Sequence, residues 1–457
     1  MMRRRKTDMD LFGTAGIRGS VTEITPELAL AVGRAAGADA EEVVVGRDGR
    51  GTGESLAAAI EAGLTSAGAD VRRAGQLPTP ALAFASRGRH GVMLTASHNP
   101  PADNGIKLFE DGGEVDREAE QRLERRVADG AAPAYWDEWG TTERVSPLPV
   151  YLDAVASYAA GVGVPPDGMT VAVDCGNGMA SLATPRVLRQ LGARVVALNA
   201  NVDGHFAARE SKPTAESLTD LRSFVADSTA TFGIGHDGDA DRIVIVDGDG
   251  EVVHEDTVLA LVAEHYTRES DAGDPVVVTT PNASGRIDKL VEEAGGRVER
   301  VRLGALHEGI ATARAEGRAE TAVAFAAEPW KHIHPGFGGW IDGVTSAAVF
   351  TRLAAEHGLP SLRERVTERP YRKKSIPCPD EKKAAVMAEL EETLPEAFPE
   401  AAVGMEYGVR LEFDDGEWTL VRPSGTEPYI RVYAESDDVD DLVGTVIERI
   451  ERAVEAT

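Results

Sequence analysis

The feature that most constrains the fold of this 457-residue chain is a change of rhythm near residue 365. Before it, short β-branched apolar runs alternate with longer Ala-rich helical patterns. Runs at 43–46, 91–95, 170–174, 194–198, 231–235, 243–246, 276–280, 297–301 and 321–325 read as buried strands. Segments 54–67, 180–191, 256–266, 284–294 and 343–355 read as helices. Such alternation predicts parallel or mixed α/β sheets. Three similar blocks end at the polar, Trp-containing stretch 131–146, at the turn 247–250, and near 364–369. The remainder reads differently: a strand at 371–377, a helix at 380–394, and a hairpin of 409–413 and 417–422 around Asp414-Asp415-Gly416. A strand at 429–435 and a helix at 439–453 follow. This is an α+β pattern with an antiparallel sheet. The expected domains are 1–146, 147–250, 251–368 and 369–457.

Composition narrows the partners. Hydrophobic residues make up 42% and charged residues 27%, enough apolar material for several cores. No apolar run approaches the ~20 residues that span a bilayer. The basic start MMRRRKTDMD is followed by no apolar stretch, so it does not read as a secretory signal, and a cytoplasmic location is expected. Cys175 and Cys378 stand far apart and read as reduced structural thiols. A net charge of −28 repels nucleic acid and anionic membrane, so neither is an expected partner. It also repels small anions, so any anion site must be locally basic. The excess of Arg over Lys amid abundant Asp and Glu reads as adaptation to a salty cytoplasm, where short Debye lengths screen self-repulsion. A monomer or homodimer is expected.

Four motifs carry chemistry. Thr95-Ala96-Ser97-His98-Asn99-Pro100-Pro101 follows a predicted strand. Its two prolines forbid a regular helix or central strand, leaving a stiff loop that displays Ser97 and His98 at a strand's C-terminal end. A serine there serves as nucleophile or phosphate carrier; a surface turn is the plain alternative. Asp237-Gly238-Asp239-Ala240-Asp241-Arg242 also follows a strand. Residues i, i+2 and i+4 of an extended loop share a face, so three carboxylates converge in a way that suits Mg²⁺. The similarly acidic Asp247-Gly248-Asp249-Gly250 reads as a hairpin turn. An EF-hand is excluded, because Arg242 stands where that loop needs Gly and Gly248 where it needs Glu. Arg422-Pro423-Ser424-Gly425-Thr426-Glu427-Pro428, with Arg431, offers hydroxyls, N–H groups and guanidinium groups to a phosphate. In Phe12-Gly13-Thr14-Ala15-Gly16-Ile17-Arg18-Gly19, glycines allow close approach and Arg18 adds a charge. Gly176-Asn177-Gly178 lacks the third glycine of a dinucleotide turn and is discounted.

In this order the four motifs resemble the α-D-phosphohexomutase superfamily, which includes phosphomannomutase/phosphoglucomutase and phosphoglucosamine mutase. The resemblance covers nearly the whole chain. It implies three similar α/β mixed-sheet domains and a C-terminal α+β domain around a central cleft. It implies that Ser97 is the phosphoserine and that Asp237, Asp239 and Asp241 bind Mg²⁺ together with the Ser97 phosphate. Arg422, Ser424, Gly425, Thr426 and Arg431 would hold the phosphate that is not reacting, with Arg242 also on the substrate. Arg18 and Lys107, in Asp103-Asn104-Gly105-Ile106-Lys107, match basic residues with acid–base or charge-stabilising roles. The family's sugar loop, Glu-x-Ser-Gly-His, reads here Glu328-Pro329-Trp330-Lys331-His332. Glu328 and His332 fit as hydroxyl-recognising residues. Trp330 and Lys331 depart from the pattern; a Trp there stacks on a sugar, shrinks the pocket, or packs against a neighbouring domain. The 303–305 segment, Leu303-Gly304-Ala305, matches the family's other sugar-contacting loop only loosely.

The implied reaction interconverts a hexose 1-phosphate and a hexose 6-phosphate, of mannose or glucose. It runs through phospho-Ser97 and a sugar 1,6-bisphosphate that turns around before Ser97 is rephosphorylated. Lys107, Arg18 and His98 are the candidates for the base that takes the hydroxyl proton. A phosphoglucosamine mutase or phosphopentomutase of the same family is the nearest alternative. A metal-dependent sugar phosphatase, or a non-catalytic sugar-phosphate sensor, is the alternative from another class.

Overall fold

The computed structural model describes residues 11–13, 16–413, 416–425 and 427–457. Thr14, Ala15, Asp414, Asp415 and Thr426, named above, lie outside the described residues. The chain forms two compact units, one running to Glu255 and including Trp330–Leu362, the other made of Asp256–Pro329 and Arg363–Thr457.

The first unit holds two sheets. One is seven-stranded and mixed, with spatial order Ile17–Ser20, Asp103–Glu110, His90–Leu94, Glu42–Arg47, Asp70–Gln76, Thr142–Arg144, and Gly113–Glu114 paired to the second of these. Glu42–Arg47 runs parallel to both His90–Leu94 and Asp70–Gln76, and Asp103–Glu110 turns back antiparallel. Val43, Val45, Val92, Leu94 and Ile106 meet Val32, Ile60 and Leu64 of the helices Pro26–Gly37 and Gly53–Ser66 in one buried core. The other sheet has the order Val244–Val246, Phe232–Gly235, Thr170–Asp174, Arg194–Leu198. Helix Gly343–His357, almost wholly buried, packs beside Leu148–Ala159 and Thr184–Gln190. The third block expected from the sequence is thus divided between the units.

In the second unit, Asp274–Thr279 lies between the parallel strands Arg297–Arg300 and Thr321–Glu328. Its C-terminal part is a five-stranded antiparallel sheet with order Tyr371–Pro377, Tyr429–Glu435, Trp418–Pro423, Val409–Glu412, Ala402–Gly404. Helices Asp380–Ala397 and Val439–Ala456 bury Val386, Leu390, Val446 and Ile450 against Val409, Leu411, Val421, Ile430 and Val432. The architecture is three α/β sheets and a C-terminal antiparallel sheet.

Several expectations need correction. Arg194–Leu198 and Arg297–Arg300 are not buried strands; each is half-exposed, because each sits at a sheet edge with one partner. The helix expected at 180–191 is a 3₁₀ turn, Met179–Leu182, followed by the helix Thr184–Gln190. Pro185 has no N–H to continue a ladder and is accommodated by starting a new helix. The polar stretch 131–146 contains the strand Thr142–Arg144. Cys175 and Cys378 are buried free thiols. Among the described residues no helix is long and apolar enough to cross a membrane.

Candidate active site

Ser97 is fully buried, and its φ of +50° places a non-glycine residue in the left-handed region. Such a conformation persists only where its surroundings hold it. Here the holder is Arg50, also buried. Its guanidinium donates to the carbonyls of Ser97 (2.9 Å), Asn99 (2.8 Å), Pro100 (2.5 Å) and Asp103 (2.9 Å), and is itself paired to Asp48 at 3.0 Å. Asp48 accepts the Thr95 hydroxyl at 2.8 Å, and the Thr95 oxygen accepts the Ser97 N–H at 2.9 Å. The prolines therefore only start the stiffening; a buried arginine completes it. Sequence reasoning missed Arg50. A charged Arg-Asp-Gly-Arg turn directly after the apolar strand Glu42–Arg47 was the available signal.

The aspartate loop arrives from the strand Phe232–Gly235. The Ser97 hydroxyl donates to Asp237 Oδ2 at 2.7 Å. Gly238 makes this approach possible, because a Cβ there would lie 2.7 Å from both the Ser97 carbonyl and the Ser211 hydroxyl. The discounted Gly176-Asn177-Gly178 turn braces this loop from behind: Met179 N–H donates to the Gly238 carbonyl at 2.9 Å. Arg209, paired to Asp174 at 2.9 Å, donates to the His236 carbonyl at 2.7 Å.

Asp237, Asp239 and Asp241 are all buried, and one carboxylate oxygen from each lies within 4.8 Å of the others. Asp239 Oδ2 accepts from Thr79 at 2.6 Å, and Asp241 Oδ2 from Lys107 at 3.2 Å. Asp239 Oδ1 and Asp241 Oδ1 are buried with no hydrogen-bond partner. A buried anionic oxygen without a partner carries a large desolvation cost. Three converging carboxylates with two unmet oxygens are the donor set a hard divalent cation such as Mg²⁺ takes. Burial and the neighbouring Asp241 and Asp239 push the Asp237 carboxyl well above the usual range. Burial would raise Asp241 as well, but Lys107 and Arg242 outweigh it and hold that carboxyl low.

Lys107, on strand Asp103–Glu110, is buried between Asp241 and Glu114, at 3.2 and 3.3 Å. Burial would lower its ammonium, yet Glu114 and Asp241 together hold it above the ordinary lysine value. Arg18 stands opposite Gly105 on the adjacent strand, two residues from Lys107, and its Nε is buried without a hydrogen-bond partner. His98 Nδ1 lies 3.4 Å from the Ser97 hydroxyl. Burial, with Arg242 and Arg18 nearby, lowers this imidazole to about 3. Arg242 Nε lies 3.7 Å from Asp237 and 3.8 Å from Asp241. The structure thus brings together Ser97, His98, Lys107, Arg18, Arg242 and the three aspartates.

The sugar-loop residues divide. Trp330, at φ +72°, packs against the buried cluster of Ala172, Leu218, Leu221 and Val246. Of the roles open to it, packing against a neighbouring domain's core is the one observed. His332 is 2% exposed, and its Nδ1 lies 3.2 Å from the Ser346 hydroxyl. Burial lowers it to about 3. In the second unit, half-buried Glu328 accepts the Gly304 N–H at 3.4 Å, joining it to the 303–305 segment.

The second unit also holds the arginine loop. Arg422 and Arg431 face each other across adjacent antiparallel strands. Ser424 is buried and Gly425 exposed, with open space where a Cβ would stand. Lys383, from helix Asp380–Ala397, donates to the carbonyls of Ser424 and Glu427, both at 2.6 Å, and shapes the loop. Arg431 pairs with Glu427 and donates to the Ser375 hydroxyl at 3.2 Å. Lys383 was not legible in the sequence, since it lies some forty residues before the loop it shapes.

Comparison with known proteins gives the class: a phosphomutase, an intramolecular phosphotransferase. The four phosphoglucomutase/phosphomannomutase domains match in order, α/β/α domain I at residues 9–133, domain II at 149–250, domain III at 254–372 and the C-terminal domain at 375–453. The chain belongs to that family, the α-D-phosphohexomutase superfamily. It is 41% identical to a phosphopentomutase of Thermococcus kodakarensis, over 98% of this chain and all of that one. It is also 41% identical to a protein of Methanopyrus kandleri named probable phosphoglucosamine mutase, over 97% of this chain and 98% of the other. A phosphoglucomutase/phosphomannomutase family structure from Burkholderia thailandensis superposes with a TM-score of 0.83 at 25% identity, covering 97% of each chain.

Proposed function

We propose that this phosphomutase works through phospho-Ser97 with Mg²⁺ held by Asp237, Asp239 and Asp241, moving a phosphoryl group between C1 and the terminal carbon of an aldose phosphate. The observation that carries this reading is the 2.7 Å hydrogen bond from the buried Ser97 hydroxyl to Asp237, inside a triad with unmet oxygens. When bound, the cation supplies charge neutralisation at the phosphoryl oxygens. Phosphoryl transfer otherwise asks mainly for positioning. Arg50 fixes the serine's backbone. Lys107, kept protonated by Asp241 and Glu114, adds positive charge and has no lone pair to take a proton. Arg18 is likewise a charge. His98, neutral and 3.4 Å from the serine hydroxyl, is the group with a lone pair to accept one. Arg422, Ser424, Gly425, Thr426 and Arg431 hold the distal phosphate, and a sugar 1,6-bisphosphate is the intermediate.

The sugar is a pentose 1- and 5-phosphate pair in preference to a mannose or glucose phosphate. The support is the end-to-end match to the phosphopentomutase, together with a sugar loop in which Trp330 packs, partly buried, against a core cluster and His332 is buried. The equally identical phosphoglucosamine mutase relative keeps the hexose reading as the second. The acidic, Arg-rich surface suits a salty cytoplasm; a melting temperature that falls with added KCl would count against this.

Ser97→Ala should lower mutase activity by at least ~10³-fold. Near-normal turnover of that variant with glucose 1,6-bisphosphate present would end the phosphoserine reading. A panel of ribose, glucosamine, glucose and mannose 1-phosphates, compared by kcat/KM, ranks the sugars.

A further inference from the structure

His236 stands directly before the aspartate triad, and none of the assignments above uses its ring. The imidazole is fully buried. Its Nδ1 lies 2.8 Å from the Arg242 carbonyl, and its Nε2 lies 3.0 Å from the hydroxyl of Thr184, also fully buried. A carbonyl oxygen can only accept, so Nδ1 carries the ring proton and donates it to Arg242. In the neutral tautomer this sets, Nε2 accepts the Thr184 O–H. Thr184 opens the helix Thr184–Gln190 and so anchors the ring to an element outside the loop. The ring therefore ties the residue that enters the aspartate loop to the residue that leaves it. Between those two points lie Asp237, Asp239 and Asp241.

The loop needs such a tie. Ala240, in its middle, has a φ of +62°, a left-handed conformation that persists in a non-glycine residue only where the surroundings hold it. The other closure within the loop is long: Arg242 N–H donates to Asp237 Oδ1 at 3.3 Å. The His236 backbone gives the ring a fixed base, its N–H donating to the Asp174 carbonyl at 3.1 Å and its carbonyl accepting from Arg209 at 2.7 Å. At the far end, Gly343 opens the helix Gly343–His357 against the loop; a Cβ there would stand 2.6 Å from the Arg242 carbonyl and 2.8 Å from that of Ala240. Carboxylates brought together repel, and a divalent cation binds well only if their spacing is set beforehand. Groups that orient the ligands from behind govern that affinity. We propose that His236, bridging Arg242 and Thr184, is a positioning residue that holds the aspartate loop closed and so sets the affinity of the triad for its divalent cation. The inference rests on reading the triad as a cation site. His236 takes no proton in the reaction; it keeps the ligand spacing that the three carboxylates would otherwise lose to mutual repulsion.

The test titrates Mg²⁺ into the full-length, EDTA-treated protein by isothermal calorimetry. It compares His236→Leu, His236→Asn and Thr184→Val, with Asp239→Asn as the control that removes a ligand. Urea melts without metal report stability separately. His236→Leu keeps apolar bulk and removes the ring nitrogens; it should weaken Mg²⁺ binding by roughly 10- to 100-fold. His236→Asn restores an N–H donor near the Nδ1 position and should recover most of that affinity. Thr184→Val removes the hydroxyl behind the ring and should weaken Mg²⁺ in the same direction by less. Wild-type Mg²⁺ affinity in His236→Leu overturns the inference even if the urea midpoint falls, because the ring would then be a packing group. Equal losses in His236→Leu and His236→Asn overturn it too, since the N–H would not be what holds the loop. Should His236→Leu not fold, Thr184→Val decides: weaker Mg²⁺ binding supports the inference, and unchanged binding overturns it. Parent Mg²⁺ binding that Asp239→Asn leaves unchanged removes the cation reading and this one with it.

Discussion

Two cation pairs of the same construction serve opposite surroundings in this molecule. In the first unit Arg242 and Lys331 face each other across an antiparallel bridge, over three buried carboxylates. In the second unit Arg422 and Arg431 face each other across adjacent strands, beside a loop of small and hydroxyl residues with Glu427 as the near acid. The first pair is held in place by fixed negative charge, which suits a step where a phosphoryl group must be positioned to a fraction of an ångström. The second has backbone N–H groups, hydroxyls and a guanidinium Nε that is buried without a hydrogen-bond partner. That environment suits capture of a phosphate whatever sugar carries it. Like charges directly opposite each other cost stability in both places.

The largest way to break the comparison is to empty the carboxylate side. Removing divalent cations with EDTA, or making Asp239→Asn, should lower activity by about 10³-fold. Mg²⁺ should raise the melting temperature of the parent protein and not that of the variant. Full turnover in EDTA would mean that the triad's unmet oxygens serve something other than a metal.

Next in size is the arginine side. Arg422→Ala with Arg431→Ala should raise KM by roughly 10- to 100-fold while kcat falls less. Stability should stay level or rise by about 0.2–1 kcal/mol, because a repelling pair is relieved. Arg242→Ala should do the reverse to stability, since it strips a counter-charge from buried Asp237 and Asp241. The measurements are substrate titrations and urea melts. An unchanged KM in the double variant would detach this loop from phosphate binding.

How much of this was legible follows from the range of each interaction. The aspartate spacing at 237, 239 and 241 is local, so an i, i+2, i+4 argument sufficed to propose their convergence. The strand cores of both units were equally readable, because a run such as Thr170–Asp174 carries its burial in its own composition. What failed was whatever depends on distant partners. Edge position, and so the exposure of Arg194–Leu198, is decided by strand order rather than by the strand. Arg50 contacts carbonyls some fifty residues away, and the charged turn that carries it does not name those partners. Trp330 departs from the family loop visibly, but only the packed structure tells a core anchor from a sugar platform.

A second buried acid cluster gives the smallest test and separates metal-ready carboxylates from self-neutralised ones. In the second unit Asp256, Glu435 and Arg286 are all buried. Arg286 donates to Glu435 at 2.5 Å and to Thr257 at 2.9 Å, Trp418 donates to Glu435 at 3.0 Å, and Ser284 N–H donates to Asp256 at 3.2 Å. Here the protein supplies its own cation, Arg286, although Asp256 Oδ1 is buried without a hydrogen-bond partner like Asp239 Oδ1 and Asp241 Oδ1 in the first unit. Burial pushes the Asp256 carboxyl up to about 7; Arg286 opposes this and Glu435 adds to it. The folded chain therefore keeps a proton that the unfolded chain releases near its ordinary value of 3.8. Folding binds that proton, so its stabilisation is complete below about pH 4 and is lost as pH rises toward 7. Asp256→Asn cannot titrate and escapes this loss. Urea melts at pH 5, 6, 7 and 8 should show the variant gaining on the parent by roughly 1–3 kcal/mol across the range. Parallel curves would mean that Arg286 already holds Asp256 ionised despite burial and Glu435, making this cluster a closed ion network with no pH dependence of its own.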